Sequence, residues 1–252
     1  KIPPNSDPKV FESDVIKSFE KLKVNKIDLL SIHGINTLEH LNLAVKEGGC
    51  VDILKNFQRD NLIGHIGFST HGKSSTIEKA IRTNLFDYVN LHWYFINQGN
   101  SKVIDLANKY DLGVFIISPT DKGGHLHTPS KKLLELCTPL HPIVFNDLFC
   151  LRNEKVHTLS IGIAKETDFK LHLEAVSLLE EAEQYIPQLI KRINQESINS
   201  LGYEWYKNWG INLPKWSETP GEINIPVLLW LSNLLDSLDL EGFARSRYQL
   251  LG

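Results

Sequence analysis

The stretch KIDLLSIHG (26–34) is an almost unbroken apolar run that ends abruptly in Ser31-Ile32-His33-Gly34. A run of this kind, lacking the alternation of a half-exposed strand, is the pattern of a parallel β-strand covered on both faces. Upstream, Phe11, Val15, Phe19 and Leu22 fall on one face of an amphipathic helix, with Ser13 and Asp14 near its expected start.

The same helix-then-strand unit recurs downstream. A helix around Val51 to Phe57 leads to a strand at Leu62 to Phe68. Ser75 and Glu78 form a capping-box pattern opening a helix to Ile81, followed by a strand at Tyr88 to Leu91. Next come a helix from Lys102 to Tyr110, a strand from Gly113 to Ile117, a longer connection holding Asp121-Lys122-Gly123-Gly124, and a strand from Val156 to Ile161. A long helix from Asp168 to Asn194 closes this part. Five strands alternating with helices predict a parallel sheet, either open and doubly wound or closed as a barrel; periodicity alone does not choose. Polar residues gather just after the strands (His33, Ser69, Thr70, His71, Asn90, His92 and Ser118), where both architectures build their sites.

The 252 residues are 42% hydrophobic, enough for a sizeable core. A formal charge of −3 from 27 basic and 30 acidic residues gives no field that concentrates nucleic acid or anionic lipid, so neither is expected as a partner. Cys50, Cys137 and Cys150 are too scattered for a disulfide framework or a redox couple, which fits a reducing compartment: the cytoplasm, or the plastid stroma if the source is eukaryotic. No apolar run approaches the ~20 residues of a membrane span. The chain starts at Lys1 and has no methionine, so the true N-terminus, with any targeting signal, is expected to lie upstream.

Two motifs invite other readings. GFSTHGKS (67–74) fits the phosphate-loop pattern GxxxxGK[ST] between a strand and a helix, which would make the chain a nucleotide triphosphatase. The later strands, however, end in His92, Ser118 and Gly162, not in a magnesium-binding aspartate. His33, His71, His92, His125, His127 and His157 raise a metal-dependent barrel hydrolase, but no carboxylate motif completes a ligand set; no metal is expected.

Taken together, LLSIHG (29–34), LIGHIGFSTHG (62–72), VNLHWYFIN (89–97), GVFIISPTDKGG (113–124) and VHTLSIGIAKETDFKLHL (156–173) resemble successive strand ends of aldo-keto reductases, in order and spacing, over nearly all of residues 1–195. The resemblance is to the subgroup whose barrel is followed by a ferredoxin-like iron–sulfur region. It implies an α/β fold: a (β/α)8 TIM barrel, represented by about five to six of its eight units (1–195), with a C-terminal helical extension (196–252). It also implies an NADP-dependent oxidoreductase that reduces a small aldehyde or ketone with hydride from NADP(H), where the protein places groups and stabilises charge. His33 matches the family histidine that orients the carbonyl, and Lys1 the lysine that lowers the pKa of a catalytic tyrosine; that tyrosine and its aspartate belong to an earlier segment. Ser69 matches a serine used on the carboxamide, followed here by Thr70 in place of the usual asparagine. Asn90 stands where a glutamine is frequent, and Ser118 is taken into the same cofactor set. Ile117 replaces a tyrosine that stacks on the nicotinamide. Gly162 opens a strand-to-helix turn whose N–H groups suit a phosphate, and Lys165 suits the 2′-phosphate.

The stretch LPKWSETPGEINIPVLLWLSNLL (213–235) resembles the iron–sulfur region with INIP kept and its cysteines gone, so no cluster binds there. Trp205, Trp209 and Trp216 are expected as buried anchors, for packing or for a protein partner. The competing class is a non-catalytic relative that keeps the barrel as a binding or scaffolding module, an idea favoured by Ile117 and the lost cysteines.

Overall fold

The computed structural model describes residues 1–163 and 165–250. Its first helix starts at an aspartate and a proline: the Asp7 carboxylate accepts the Lys9 N–H at 2.9 Å, and Pro8 takes the first helical position, where a missing N–H is no loss. Helix α1 (Pro8–Leu22) therefore begins ahead of Phe11, and Ser13 and Asp14 lie inside it rather than at its start. It ends where Lys23 turns left-handed (φ 54) and returns its N–H to the last turn. Phe11 and Val15 are fully buried, as the helical spacing requires.

In chain order the following elements are β1 (Ile27–Ile32), α2 (Leu38–Val45), α3 (Cys50–Arg59), β2 (Ile63–Ser69), α4 (Ser74–Arg82), β3 (Tyr88–Leu91), α5 (Ser101–Lys109) and β4 (Gly113–Ile117). Then come α6 (Pro119–Lys122), α7 (Lys131–Cys137), α8 (Pro142–Leu151), β5 (Thr158–Ser160), α9 (Glu166–Ser177), α10 (Ala182–Leu201), α11 (Tyr203–Asn208), α12 (Ile225–Leu238) and α13 (Glu241–Tyr248). They form two compact units: residues 1–93, 97–117 and 153–160, and residues 94–96, 118–152 and 161–252.

The first unit holds all five strands with α1 to α5. The sheet is parallel throughout and its spatial order is β1-β2-β3-β4-β5. An open doubly wound sheet reverses its order at a switch point, whereas right-handed crossovers that always advance in one direction put every helix on one face and generate a barrel. The strand order thus decides the question that periodicity leaves open: this is a five-strand arc of a (β/α)8 barrel. Its packed side chains are Ile66, Phe68, Val89, Leu91, Val114 and Ile116, all buried. Gly67 lies under the Tyr88 ring, where a Cβ would fall 2.5–2.6 Å from three ring atoms, so only glycine fits.

The first strand departs from expectation. Leu29 is 46% exposed because β1 is the last full strand of the sheet on its side. Only its final residues are covered there, by a parallel bridge from Ile2 to Ile32. The capping box at Ser75 and Glu78 is likewise replaced: α4 begins at Ser74 with Lys73 before it and has no side-chain cap.

The second unit is helical. The connection after β4 contains α6, α7 and α8, and nine of the ten residues of α8 are buried. The long helix expected from Asp168 to Asn194 is two helices, α9 and α10, separated by a 3-10 turn at Leu179–Glu181. In the INIP segment, Asn224 caps α12 by accepting the Val227 N–H (3.4 Å), with Pro226 in the first turn. Trp205 and Trp216 are 44% and 39% exposed, so they are not buried anchors; Trp205 instead donates its indole N–H to Asn233 at 2.8 Å. Among the described residues, no helix is long and apolar enough to cross a membrane.

Candidate functional site

In the first unit the polar residues at the carboxyl ends of the strands form one connected set. Ile2 pairs with the end of β1: its N–H bonds to Ser31 O (3.0 Å) and its C=O accepts the His33 N–H (2.7 Å). That pairing sets Lys1 beside the strand end that carries His33. The Lys1 charge is felt there, because the His33 imidazole titrates below its ordinary value, first through burial and then through Lys1.

His33 Nδ1 lies 2.9 Å from Ser69 Oγ at the end of β2. Ser69 Oγ also accepts from the Gly34 N–H at 3.3 Å, a proton shared with Ser69 O at 2.9 Å. The serine oxygen has a second lone pair, so this contact serves either tautomer: Nδ1 accepts the hydroxyl proton when the ring proton sits on Nε2, and donates to Oγ when it sits on Nδ1. The lowered pKa favours the neutral ring.

The other expected cofactor residues of this unit are engaged within the protein. Thr70 is buried; its hydroxyl donates to Ile35 O (2.7 Å) and accepts the Gly72 N–H (2.9 Å). Asn90, also buried, donates through Nδ2 to Ser31 Oγ (3.2 Å) and Phe68 O (3.4 Å). Ser31 in turn pairs with the Tyr88 hydroxyl at 2.8 Å, so three adjacent strands share one buried network. Ser31 and Tyr88 are read from the sequence only as parts of strands, because no motif around either marks it as a site residue.

The remaining candidates belong to the second unit. Ser118 is half-buried and left-handed (φ 53, ψ 45), an unusual conformation for a residue with a Cβ. Gly162 has open space where a Cβ would stand. Lys165 is exposed immediately before α9, and its N–H bonds to the Asp168 carboxylate at 3.0 Å. Asp168 is buried and lies 2.9 Å from His127 Nδ1, so the positive end of α9 already meets an internal carboxylate. Ala164, within the expected Gly162–Lys165 turn, lies outside the described residues.

The two alternative motifs fare poorly. In GFSTHGKS the backbone N–H groups of His71 and Gly72 bond to Asn36 Oδ1 (2.7 Å) and Thr70 Oγ1 (2.9 Å), so the loop does not present them to a phosphate. His71 and His92 approach each other (Nδ1 to Nε2, 2.8 Å). Among the described residues, though, no three His, Cys, Asp or Glu side chains converge as a ligand group, and a catalytic zinc takes three protein ligands.

Comparison with known proteins agrees with this fold. An aldo-keto reductase of Bacillus halodurans in its holo form matches with a TM-score of 0.60 at 17% identity, over 73% of this chain and 68% of that one. A glycerol dehydrogenase of Gluconobacter oxydans matches with 0.55 at 13% identity, over 75% and 65%. An aldo-keto reductase of Klebsiella pneumoniae in complex with NADPH matches with 0.50 at 13% identity, over 68% and 63%. The chain therefore spans about two thirds of the length of these proteins, and the likeness is one of fold. No curated protein sequence matches it. The model of the aldo/keto reductase family matches residues 2–205, most of the 252, and the chain belongs to that family.

Proposed function

We propose that this chain carries part of the active site of an NADP-dependent oxidoreductase that reduces a small aldehyde or ketone. The family is one of oxidoreductases, and a solved member of the same fold was crystallised with NADPH. When bound, the nicotinamide supplies the hydride. The observation that carries the reading is His33, at a strand's carboxyl end with Nδ1 held by Ser69 and a pKa lowered toward the neutral imidazole; the reading assigns its proton to Nε2.

In this reading Nε2–H donates to the substrate carbonyl oxygen, orienting it and favouring the charge that develops there as hydride arrives at carbon. Lys1, beside His33, adds positive potential at the same strand end. Of the lysine, aspartate and tyrosine that the family resemblance implies for proton delivery, Lys1 is the member assigned in this chain. The dinucleotide would be met by Ser118, Gly162 and Lys165, whose chemistry fits it: a hydroxyl, an unobstructed backbone and an exposed ammonium for the 2′-phosphate. Ser69, Thr70 and Asn90 fit less directly, since their hydrogen atoms already have partners in the protein. The chain from 196 to 252 is proposed as an extension of the barrel.

A second reading, a non-catalytic relative that binds or scaffolds, is favoured by those same internal bonds and by the aliphatic Ile117, buried at the end of β4. Fluorescence titration with NADPH and with NADH separates the two. The oxidoreductase reading expects NADPH to bind and Lys165→Ala to weaken it about tenfold, the scale of one charge-assisted contact, with little change for NADH. Unchanged NADPH binding in the variant would take Lys165 out of the site. Absence of binding and of carbonyl-dependent NADPH oxidation in the wild-type protein would leave the scaffold.

A further inference from the structure

Helix α8 contributes two adjacent polar side chains, Asn146 and Asp147, to an otherwise apolar interior, and both act on the turn that begins at Ser118. The Asn146 Nδ2 donates to Pro119 O at 3.1 Å, while its Oδ1 accepts the Phe95 N–H at 3.3 Å. Asp147 is paired through Oδ2 with His172 Nδ1 of α9, and His172 Nε2 lies 3.5 Å from the Thr120 hydroxyl. Thr120, Asn146 and Asp147 are at most 2% exposed, and His172 6%.

The turn is held at several further points. Ser118 O accepts the Lys122 N–H (3.0 Å), and Thr120 O accepts the Leu126 N–H (2.9 Å). At Gly123 a Cβ would fall 2.0 Å from Pro119 O and 3.0 Å from Asn146 Nδ2, so the backbone and the amide are in close approach. Ser118 itself sits left-handed, which is unfavourable by about 1–2 kcal/mol for an L-residue and persists only where the surroundings fix it.

A buried Asp–His pair is a poor way to add stability, because two apolar residues of similar volume do as well or better. Its distinctive property is directional. A carboxylate on Nδ1 fixes the tautomer of His172, leaving Nε2 to accept from Thr120 and no other ring position able to replace it. Burial pushes the Asp147 carboxyl upward, and the His172 bond opposes that, so the pair holds together as a unit.

We propose that Asn146 and the Asp147–His172 pair are positioning residues that lock the Ser118–Gly123 turn, and so hold the Ser118 hydroxyl where it meets the dinucleotide. The inference rests on the proposed cofactor site. Asn146 fixes the carbonyl of the residue after Ser118, and His172 the hydroxyl of the next, so the turn is gripped at successive residues from one helix and its neighbour.

The test is a double-mutant cycle read by NADPH fluorescence titration, using wild type, Asp147→Asn, Ser118→Ala and the double variant. Asp147→Asn keeps the shape but lets His172 present the wrong proton to Thr120. It is expected to weaken NADPH about three- to tenfold alone and less than about twofold in the Ser118→Ala background, the signature of coupled residues. Thr120→Val should mimic it and Thr120→Ser should restore binding, which covers the case of a poorly folding Asp147 variant. Hydrogen exchange of amides 118–124 in the cofactor-free protein is expected to quicken in Asp147→Asn. Equal losses in both backgrounds would overturn the inference while leaving the cofactor reading intact, as would unchanged exchange. Wild-type protein that binds no NADPH would overturn the cofactor reading, and with it the role assigned to the turn, even if exchange still quickens.

Discussion

Gly67→Ala tests the barrel interior and the site above it in one substitution. The new Cβ would stand 2.5–2.6 Å from the Cζ and Cε atoms of Tyr88, against the ~3.5–4.0 Å of an ordinary carbon–carbon contact. The ring has to move by roughly 1 Å to restore that separation. It has little room: Tyr88 is buried, its hydroxyl bonds to Ser31, and the Phe115 ring centre is 5.1 Å away. Overpacking of this kind costs about 1–3 kcal/mol, and a broken Ser31–Tyr88 bond adds about 0.5–1.5 kcal/mol. Removing a flexible glycine from a strand returns about 0.5–1 kcal/mol, so the net expectation is a loss of about 1–3 kcal/mol in urea unfolding. In a Tyr88→Leu background the ring is gone, and the further loss from Gly67→Ala should nearly vanish. A variant within about 0.5 kcal/mol of wild type, or an equal loss in both backgrounds, would refute the contact as the cause. Because Ser31 also receives Asn90, a displaced Tyr88 is expected to disturb the strand-end network, visible as shifted amide resonances at Asn90 and Ser69.

Two further outcomes follow from the protonation states. His33 should titrate below its ordinary value of 6.5 and show the Nε2–H tautomer by nitrogen-resolved NMR at neutral pH; a midpoint at or above 6.5, or a proton on Nδ1, would remove the donor from the proposed mechanism. Since the folded-state pKa is the lower one, the unfolded chain binds this proton more readily, and the His33 contribution to stability is present above 6.5 and lost as pH falls below it. All three thiols are buried and their pKa values pushed upward, Cys137 to about 12. Iodoacetamide at pH 8 should therefore leave the folded protein unlabelled and modify it only on denaturation, whereas rapid labelling of the native state would contradict their burial.

What the sequence disclosed follows from where packing leaves a periodic trace. Runs such as Gly113 to Ile117 must be apolar on both faces to lie inside a parallel sheet, so the strands were legible, and so were the polar residues that follow the first four; the fifth, read as Val156 to Ile161, is only Thr158–Ser160 and is not buried. Helix α8 left no such trace for the opposite reason: with nine of its ten residues buried it has no polar face, and PIVFNDLFCL shows no helical period. The break between α9 and α10 has neither proline nor glycine to announce it, and no residue of the Leu179–Glu181 turn is buried, so no apolar pattern marks it either. The start of α1 was different, since Asp7-Pro8 is a readable capping signal that the apolar face beginning at Phe11 overshadowed.

The site divides along the same line. His33 and Ser69 were visible as strand-end residues, yet the contact between Nδ1 and Oγ was not, nor was the Gly34 amide that only the folded turn brings to Ser69 Oγ. In the same way Asn146 and Asp147 are the two polar letters in a ten-residue apolar word, easily passed over as imperfections. Their burial reverses that judgement: polar groups kept in an interior must be satisfied, and the partners that satisfy them are the backbone of Pro119 and, through His172, the hydroxyl of Thr120. A residue that looks like a flaw in a hydrophobic pattern is therefore the one whose partners are worth tracing, and here they lead to the turn that begins at Ser118.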